Sequence, residues 1–426
     1  MGSVHNLLRA VQLPDMALVH QRFPDWSLPD PAAELVHELG RTGIRAQVRP
    51  GMKVAVTAGS RGLDAYVPLL RQLITTLKEM GAQPFVVPAM GSHGGATAEG
   101  QKDLLNGYGI TEEAMGAPIH SSMEVAQVAA TPEGDPVWMD KRAAQADGIV
   151  LFNRVKPHTG FRGRYESGLL KMAAVGLGKQ KGAEIVHAGG PGAMAERVEL
   201  FGTLAIKHAP ILFGVATVEN ACDRVCAVKA LTVGEIFRRE PELLERAKAL
   251  LPRIFFEDLD VLVVDRIGKN ISGPGMDPNV THTYLPDAPI PQMLRDKRAR
   301  RVIVLDLTKE THGAAMGIGM ADITTRRVAE KLDPESTYPN CLTSGVTASA
   351  KLPMFFENDR LAIQAAVRTL SASDGSGMRM VRIQDTLHLG EIWISQALLP
   401  QALGHPDVEV LSPTVPMAFD AQGNLF

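Results

Sequence analysis

Apolar positions along the chain switch between two periods. Residues 52–58 form a short apolar run suited to a buried strand, and Val67, Leu70, Leu73, Ile74 and Leu77 recur within 64–80 at the spacing of a one-faced helix. Phe85-Val86-Val87 resumes a strand. Further strand patterns lie at 148–152, 211–218, 260–265, 301–306 and 379–384, with helical patterns at 193–207, 239–250 and 357–370. This alternation predicts an α/β fold: two α/β domains with mixed or largely parallel sheets and a ligand cleft between them. The helix ending at Leu251-Pro252 gives way to a fresh strand. The expected division is therefore 1–257 and 258–410, with the tail 411–426 returning to the first domain.

Charge narrows the function classes. The chain has 426 residues, 44 basic and 47 acidic, for a formal net charge of −3. The two signs are interspersed, which favours neither nucleic acid nor an anionic membrane as partner. The first residues lack a basic segment followed by an apolar core, and no apolar run reaches the roughly 18 residues of a membrane span, so a cytoplasmic protein is expected. Cys222, Cys226 and Cys341 cannot all pair and are expected to be buried, reduced thiols.

The common nucleotide and hydrolase signatures are missing. No G-x-G-x-x-G opens a helix after the first strand, Gly176-Leu177-Gly178-Lys179 lacks the spacing of a P-loop, and neither G-x-S-x-G nor H-E-x-x-H occurs. What stands out is Gly91-Ser92-His93-Gly94-Gly95-Ala96-Thr97 directly after a strand, a turn rich enough in glycine to bring backbone N–H groups to an anion and expose a histidine. A second cluster follows another strand end: Asn153 to Gly160 with His158, then Glu166 to Lys171, then Gly176 to Lys179, and His187. Lys171 sits among Leu169, Leu170, Met172, Ala173 and Ala174, where a lysine is either desolvated or snorkels to water. Three histidines suit zinc or nickel alike. Carboxylate partners at ligand spacing are absent, with Glu166 and Glu184 the nearest.

The ordered set His93, His158, Lys171 and His187, preceded by Ser60-Arg61 after the strand Val54-Ala55-Val56, resembles the nickel-dependent lactate racemase family. The likeness is most specific over 150–190 and weaker beyond 260. It implies that the first domain is catalytic and binds a nickel-pincer nucleotide (pyridinium-3,5-bisthiocarboxylic acid mononucleotide nickel). Lys171 matches the lysine joined to that cofactor, His187 the metal ligand, and His93 and His158 the two acid/base groups. Arg61 matches a family arginine near the active site and is expected to bind the substrate carboxylate. Ser60, Gly176, Gly178 and Lys179 are expected at the cofactor. Family chemistry inverts the C2 centre of a 2-hydroxy acid: hydride leaves to the cofactor while a base takes the hydroxyl proton, and hydride returns to the opposite face. Such an enzyme depends on other proteins that make the cofactor.

Two departures bear on the substrate. Ala58 stands where the family commonly has Asp, and Gly94-Gly95 stand where Arg-Pro often follows the loop histidine. The second domain carries His312, Asp322, Arg326 and Lys351, expected to face the cleft and bind a substrate larger or more polar than lactate, such as an aldonate. The plainer reading of this stretch has Asp322 or Thr324 capping a helix that carries Arg326 and Val328. Alternatives on the same scaffold are lactate racemase proper, a hydroxy-acid dehydratase, or a non-catalytic binder of an organic acid or nucleotide.

Overall fold

The computed structural model describes residues 2–370 and 374–425. Strand β1 (Met16–Gln21) precedes a first compact body, residues 25–251. Its main sheet has the order β3-β2-β6-β7-β8. Here β2 (Lys53–Ala58), β3 (Gln83–Pro88), β6 (Gly148–Arg154) and β7 (Ile211–Glu219) run parallel, and β8 (Val225–Thr232) returns antiparallel. A separate hairpin joins β4 (Val125–Ala130) to β5 (Pro136–Asp140). Alternation along the strands sends Val54, Val56, Val150 and Phe152 to the face covered by the helix Tyr66–Glu79. Ala55, Ile149 and Leu151 go to the other, under the helices Gly190–His208 and Val233–Ala249. Both faces are dry, as a largely parallel sheet requires.

The chain builds β3 on one side of β2 and then β6 on the other. The order therefore reverses between β2 and β6, and loops leaving their carboxyl ends diverge there to form a crevice. Ser60-Arg61 and the segment from Val155 to Lys171 leave those two strand ends.

The second body comprises residues 1–24 and 252–426. Its sheet has the order β12-β11-β10-β9-β13-β14-β1-β15. Strands β9 (Val261–Ile267), β10 (Arg301–Leu307), β11 (Ile323–Thr325), β12 (Met354–Phe356) and β13 (Met380–Ile383) are parallel. Strands β14 (Glu391–Ser395), β1 and β15 (Val408–Val410) continue the sheet in antiparallel fashion. The α/β class with mixed, largely parallel sheets is as expected.

The division differs from the expected one at three points. Residues 1–24 lie in the second body, because β1 fills the slot between β14 and β15. The break falls at Leu251-Pro252 instead of after 257. The tail stays with the second body: Met16 bridges Val415, and Leu425 N donates to Asp359 Oδ2 at 2.9 Å. Among the described residues no helix is long and apolar enough to cross a membrane. Cys226 and Cys341 are buried as expected, whereas Cys222 is exposed in the turn between β7 and β8.

Candidate active site

After β6 the chain doubles back, with Lys156 bridged to Ser167, and the intervening loop closes around a buried carboxylate. Glu166 Oε2 accepts from His158 N at 2.7 Å, and its carboxylate pairs with Lys248 at 3.1 Å and Arg162 at 3.6 Å. Arg162 Nη1 in turn donates to His158 O at 2.6 Å. The histidine backbone is thus gripped from both sides. Its ring lies 4.2 Å from that of Phe161, and Gly160 N donates to Nδ1 at 3.0 Å. In this state Nε2 carries the proton of the neutral ring. His158 takes a proton there only once the Gly160 contact opens and the ring proton moves to Nδ1. Burial, then the charges of Lys171, Lys156, His187 and Arg162, hold its pKa well below that of a free histidine.

Lys171 ends a single helical turn (Leu169–Lys171) that runs into a π-helical stretch, Met172–Gly176. Such bulges recur at functional sites because they re-aim side chains without breaking the helix. The amine lies 5.7 Å from the centre of the Phe161 ring. Burial, then the positive charges of Arg61 and Lys156, push its pKa down to about 8. About a tenth of the amine is therefore neutral and nucleophilic at pH 7, far more than for an ordinary lysine.

His187 closes the helix Lys179–His187. Its Nδ1 lies 2.6 Å from Ala183 O, which can only accept, so Nδ1 carries the proton and Nε2 keeps its lone pair. That is the arrangement that orients a metal-ligating histidine. Its pKa is lowered by burial, with Lys171 adding to the effect against the Ala183 bond.

The loop after β3 holds His93. Gly91 N donates to Gly176 O at 3.1 Å, which seats the loop on the π-helical stretch. Gln101 Nε2 donates to Gly91 O at 2.9 Å and to His93 O at 3.2 Å. Gly94 has φ +68°, and a Cβ there would meet Gln101 N at 2.6 Å, so only glycine fits. After β2, Tyr66 Oη accepts from Gly59 N at 2.7 Å, and Tyr108 Oη donates to Ser60 O at 3.1 Å. The turn that presents the exposed Arg61 is thereby fixed. Sequence reasoning had no signal for these tyrosines or for Gln101.

Three of the expected cofactor residues have other duties. Lys179 is fully buried, its amine pairing with Asp140 at 3.3 Å and donating to Gln101 Oε1 at 3.1 Å and to Pro88 O. All three of these partners lie inside the fold. Gly176 and Gly178 are buried as well: a Cβ on Gly176 would lie 2.7 Å from both Ala89 O and Met172 Sδ, and one on Gly178 2.9 Å from Ala174 O. Close packing inside the fold by itself requires both to be small.

The second-body residues do not form one set. Asp322 Oδ2 accepts from Arg298 Nη2 at 2.6 Å and from Val302 N at 2.7 Å, tying the starts of β10 and β11 together. Arg326 directly follows β11 and His312 follows β10, at the opposite edge of that sheet from Asp322. Both are exposed, as is Lys351. The helix cap is Thr325, accepting from Val328 N, and neither Asp322 nor Thr324; the Thr324 hydroxyl donates to Val304 O at 2.7 Å.

Within the first body, then, His158, Lys171, His187, Lys156, Arg162 and Arg61 are electrostatically linked members of one cluster, and residues 33–188 match the family model described as lactate racemase N-terminal domain. Over this stretch the chain is similar to that family. The matched stretch includes Ser60, Arg61, His93, His158, Lys171 and His187, and none of the second-body residues. Among solved structures the chain is similar to the lactate racemase apoprotein of Thermoanaerobacterium thermosaccharolyticum, at 12% identity over 87% of this chain and 88% of that one, with a TM-score of 0.47. It is also similar to a protein from Thermotoga maritima, at 16% identity over 64% and 68%, with a TM-score of 0.44. No curated protein matches the sequence.

Proposed function

We propose that this chain is a racemase or epimerase of 2-hydroxy acids that works with a nickel-pincer nucleotide. The observation that carries the reading is the cluster itself. Two imidazoles and a lysine are all less basic than usual, through burial and one another's charge, beside the cations Arg61, Lys156 and Arg162. Such a cluster suits anionic ligands, keeps its imidazoles uncharged at neutral pH and leaves a minor fraction of the lysine as free amine.

The residues fit the cofactor: His187 Nε2 is an imidazole donor suited to nickel, Lys171 a nucleophilic amine for covalent attachment, and the surrounding cations match a phosphate and thiocarboxylates. When bound, that group supplies reversible acceptance of the C2 hydrogen as hydride. The chain's own work is positioning and proton handling. Arg61 pairs with the substrate carboxylate, and His93 and His158 take and return the C2 hydroxyl proton, one for each hand of substrate. For His158 this exchanges the Gly160 contact for one to substrate. Gly95 faces open space beside the His93 loop, which favours an acid larger than lactate, such as an aldonate.

The test is co-expression with the cofactor-making proteins, followed by metal analysis and intact mass. The wild type should carry nickel and a mass adduct on Lys171. His187→Ala should lose most of the nickel and Lys171→Ala the adduct. Unchanged nickel and mass in both variants would overturn the assignment. Gluconate, malate and lactate in deuterated water, followed at C2, then select the substrate; turnover of lactate alone would reject the aldonate.

A further inference from the structure

The helix Val233–Ala249 presents Phe237, Glu240, Leu244 and Lys248 along one face, at spacings of three, four and four. Each touches the structure around the segment that carries His158 and Lys171. Pro241 has no N–H for the carbonyl of Phe237, and that carbonyl instead accepts from Tyr165 Oη at 2.8 Å. Leu244 is packed in the core beneath the segment. Lys248 pairs with Glu166, which holds His158 N.

Glu240 is the member that ordinary packing does not explain. Its side chain is buried, and among the described residues no cation pairs with it. Its carboxyl accepts from Leu170 N, at 3.1 Å to Oε2 and 3.4 Å to Oε1. Burial pushes its pKa up to about 8 against the bonds from Leu170 and Leu169. A buried carboxyl without a counter-ion is costly, and an apolar side chain would fill the space more cheaply. The backbone has been cut to admit it: a Cβ on Gly168 would lie 2.1 Å from Glu240 Oε1 and 2.9 Å from Cδ. Gly168 O is meanwhile held by Asn153 Nδ2 at 2.8 Å and by Met172 N at 3.0 Å. The turn that ends in Lys171 is therefore clamped at its first residues, from a helix distant in sequence.

We propose that Glu240, seated against Gly168, is a positioning residue that presents the Lys171 amine for attachment of the cofactor. This rests on the assignment of Lys171 as the attachment point. Glu240 acts through the backbone: it fixes the start of the turn, and the π-helical stretch continues from its end.

The experiment uses the full-length protein made without the cofactor proteins and labelled with trinitrobenzenesulfonate. Lys171 and the exposed Lys207 are quantified by peptide mass, the second as internal reference. Glu240→Leu removes the acceptors, Gly168→Ala displaces them, and Glu240→Gln keeps an acceptor oxygen. Misplacing a reacting group by about an ångström costs on the order of a hundredfold. The Lys171-to-Lys207 labelling ratio should fall at least ~10-fold in Glu240→Leu and Gly168→Ala, and stay within about threefold of wild type in Glu240→Gln. An unchanged ratio in folded Glu240→Leu overturns the proposal, and so does an equal fall in all three variants. Should Glu240→Leu not fold, Gly168→Ala against Glu240→Gln decides by the same criterion. Intact mass after co-expression separates the two ideas. If wild type never gains an adduct while the ratio still responds, the attachment reading fails and the positioning role stands.

Discussion

Lys179→Met separates a structural lysine from a cofactor lysine. Removing the amine leaves Asp140 as a fully buried carboxylate without its counter-ion, although Oδ1 keeps the bond from Ala143 N at 2.9 Å. Pro88 O and Gln101 Oε1 lose a donor as well. Breaking a buried pair by deleting one partner costs about 3–5 kcal/mol, most of it the orphaned charge. With an m-value of about 3 kcal/mol/M, the upper end of the usual range because m grows with size, the urea midpoint should fall by roughly 1–2 M. Asp140→Asn in the same chain removes the charge, so the double variant should be more stable than the two single losses added together predict. Unfolding is followed by circular dichroism, and nickel and adduct mass are measured on folded protein. A midpoint unchanged within error, together with loss of nickel or adduct, would refute this account and return Lys179 to the cofactor. Because Gln101 bonds both Lys179 and the His93 carbonyl, folded Lys179→Met should also lose rate while binding nickel normally.

Two further outcomes follow from the site's electrostatics and packing. Below about 8, protonation silences the Lys171 amine, so its labelling rate should rise nearly tenfold per pH unit up to about pH 8 and level off above; a rate still climbing through pH 10 would show an ordinary lysine. Gly176→Ala places a methyl 2.7 Å from Ala89 O and Met172 Sδ, which should cost about 1–3 kcal/mol and lower the melting temperature by several degrees. A melting curve superimposable on wild type would show that the seam yields freely.

Much of the first body was legible because its signals are local. Apolar runs bounded by turn residues marked β2, β6 and β7, and the strand-end clusters gave His93, His158, Lys171 and His187 as one ordered set. Lys179 shows where local signals stop: glycine flanks and a positive charge look the same whether the partner is a phosphate or an internal carboxylate. Only the fold brings Asp140, Gln101 and Pro88 to that amine. Glu240 was passed over because its partner amides lie some seventy residues earlier, although Pro241 beside it was a visible irregularity in a helical pattern. Asp322 is like Lys179 in this respect: its partners Arg298 and Val302, at the start of β10, are brought to it only by the fold.

By itself the sequence determined the periods of its elements, the α/β class, and the order of chemistry-bearing residues at strand ends, since each depends on neighbours within a few positions. Tertiary structure alone decided where β1 and the tail go, because strand pairing is set by partners hundreds of residues away and leaves no local trace. It also decided which charges are spent inside the protein, as Lys179 is against Asp140. Burial and the positive charge of Lys171, Lys156, Arg162 and Arg61 make the site's bases weak, and those are properties of distance in three dimensions.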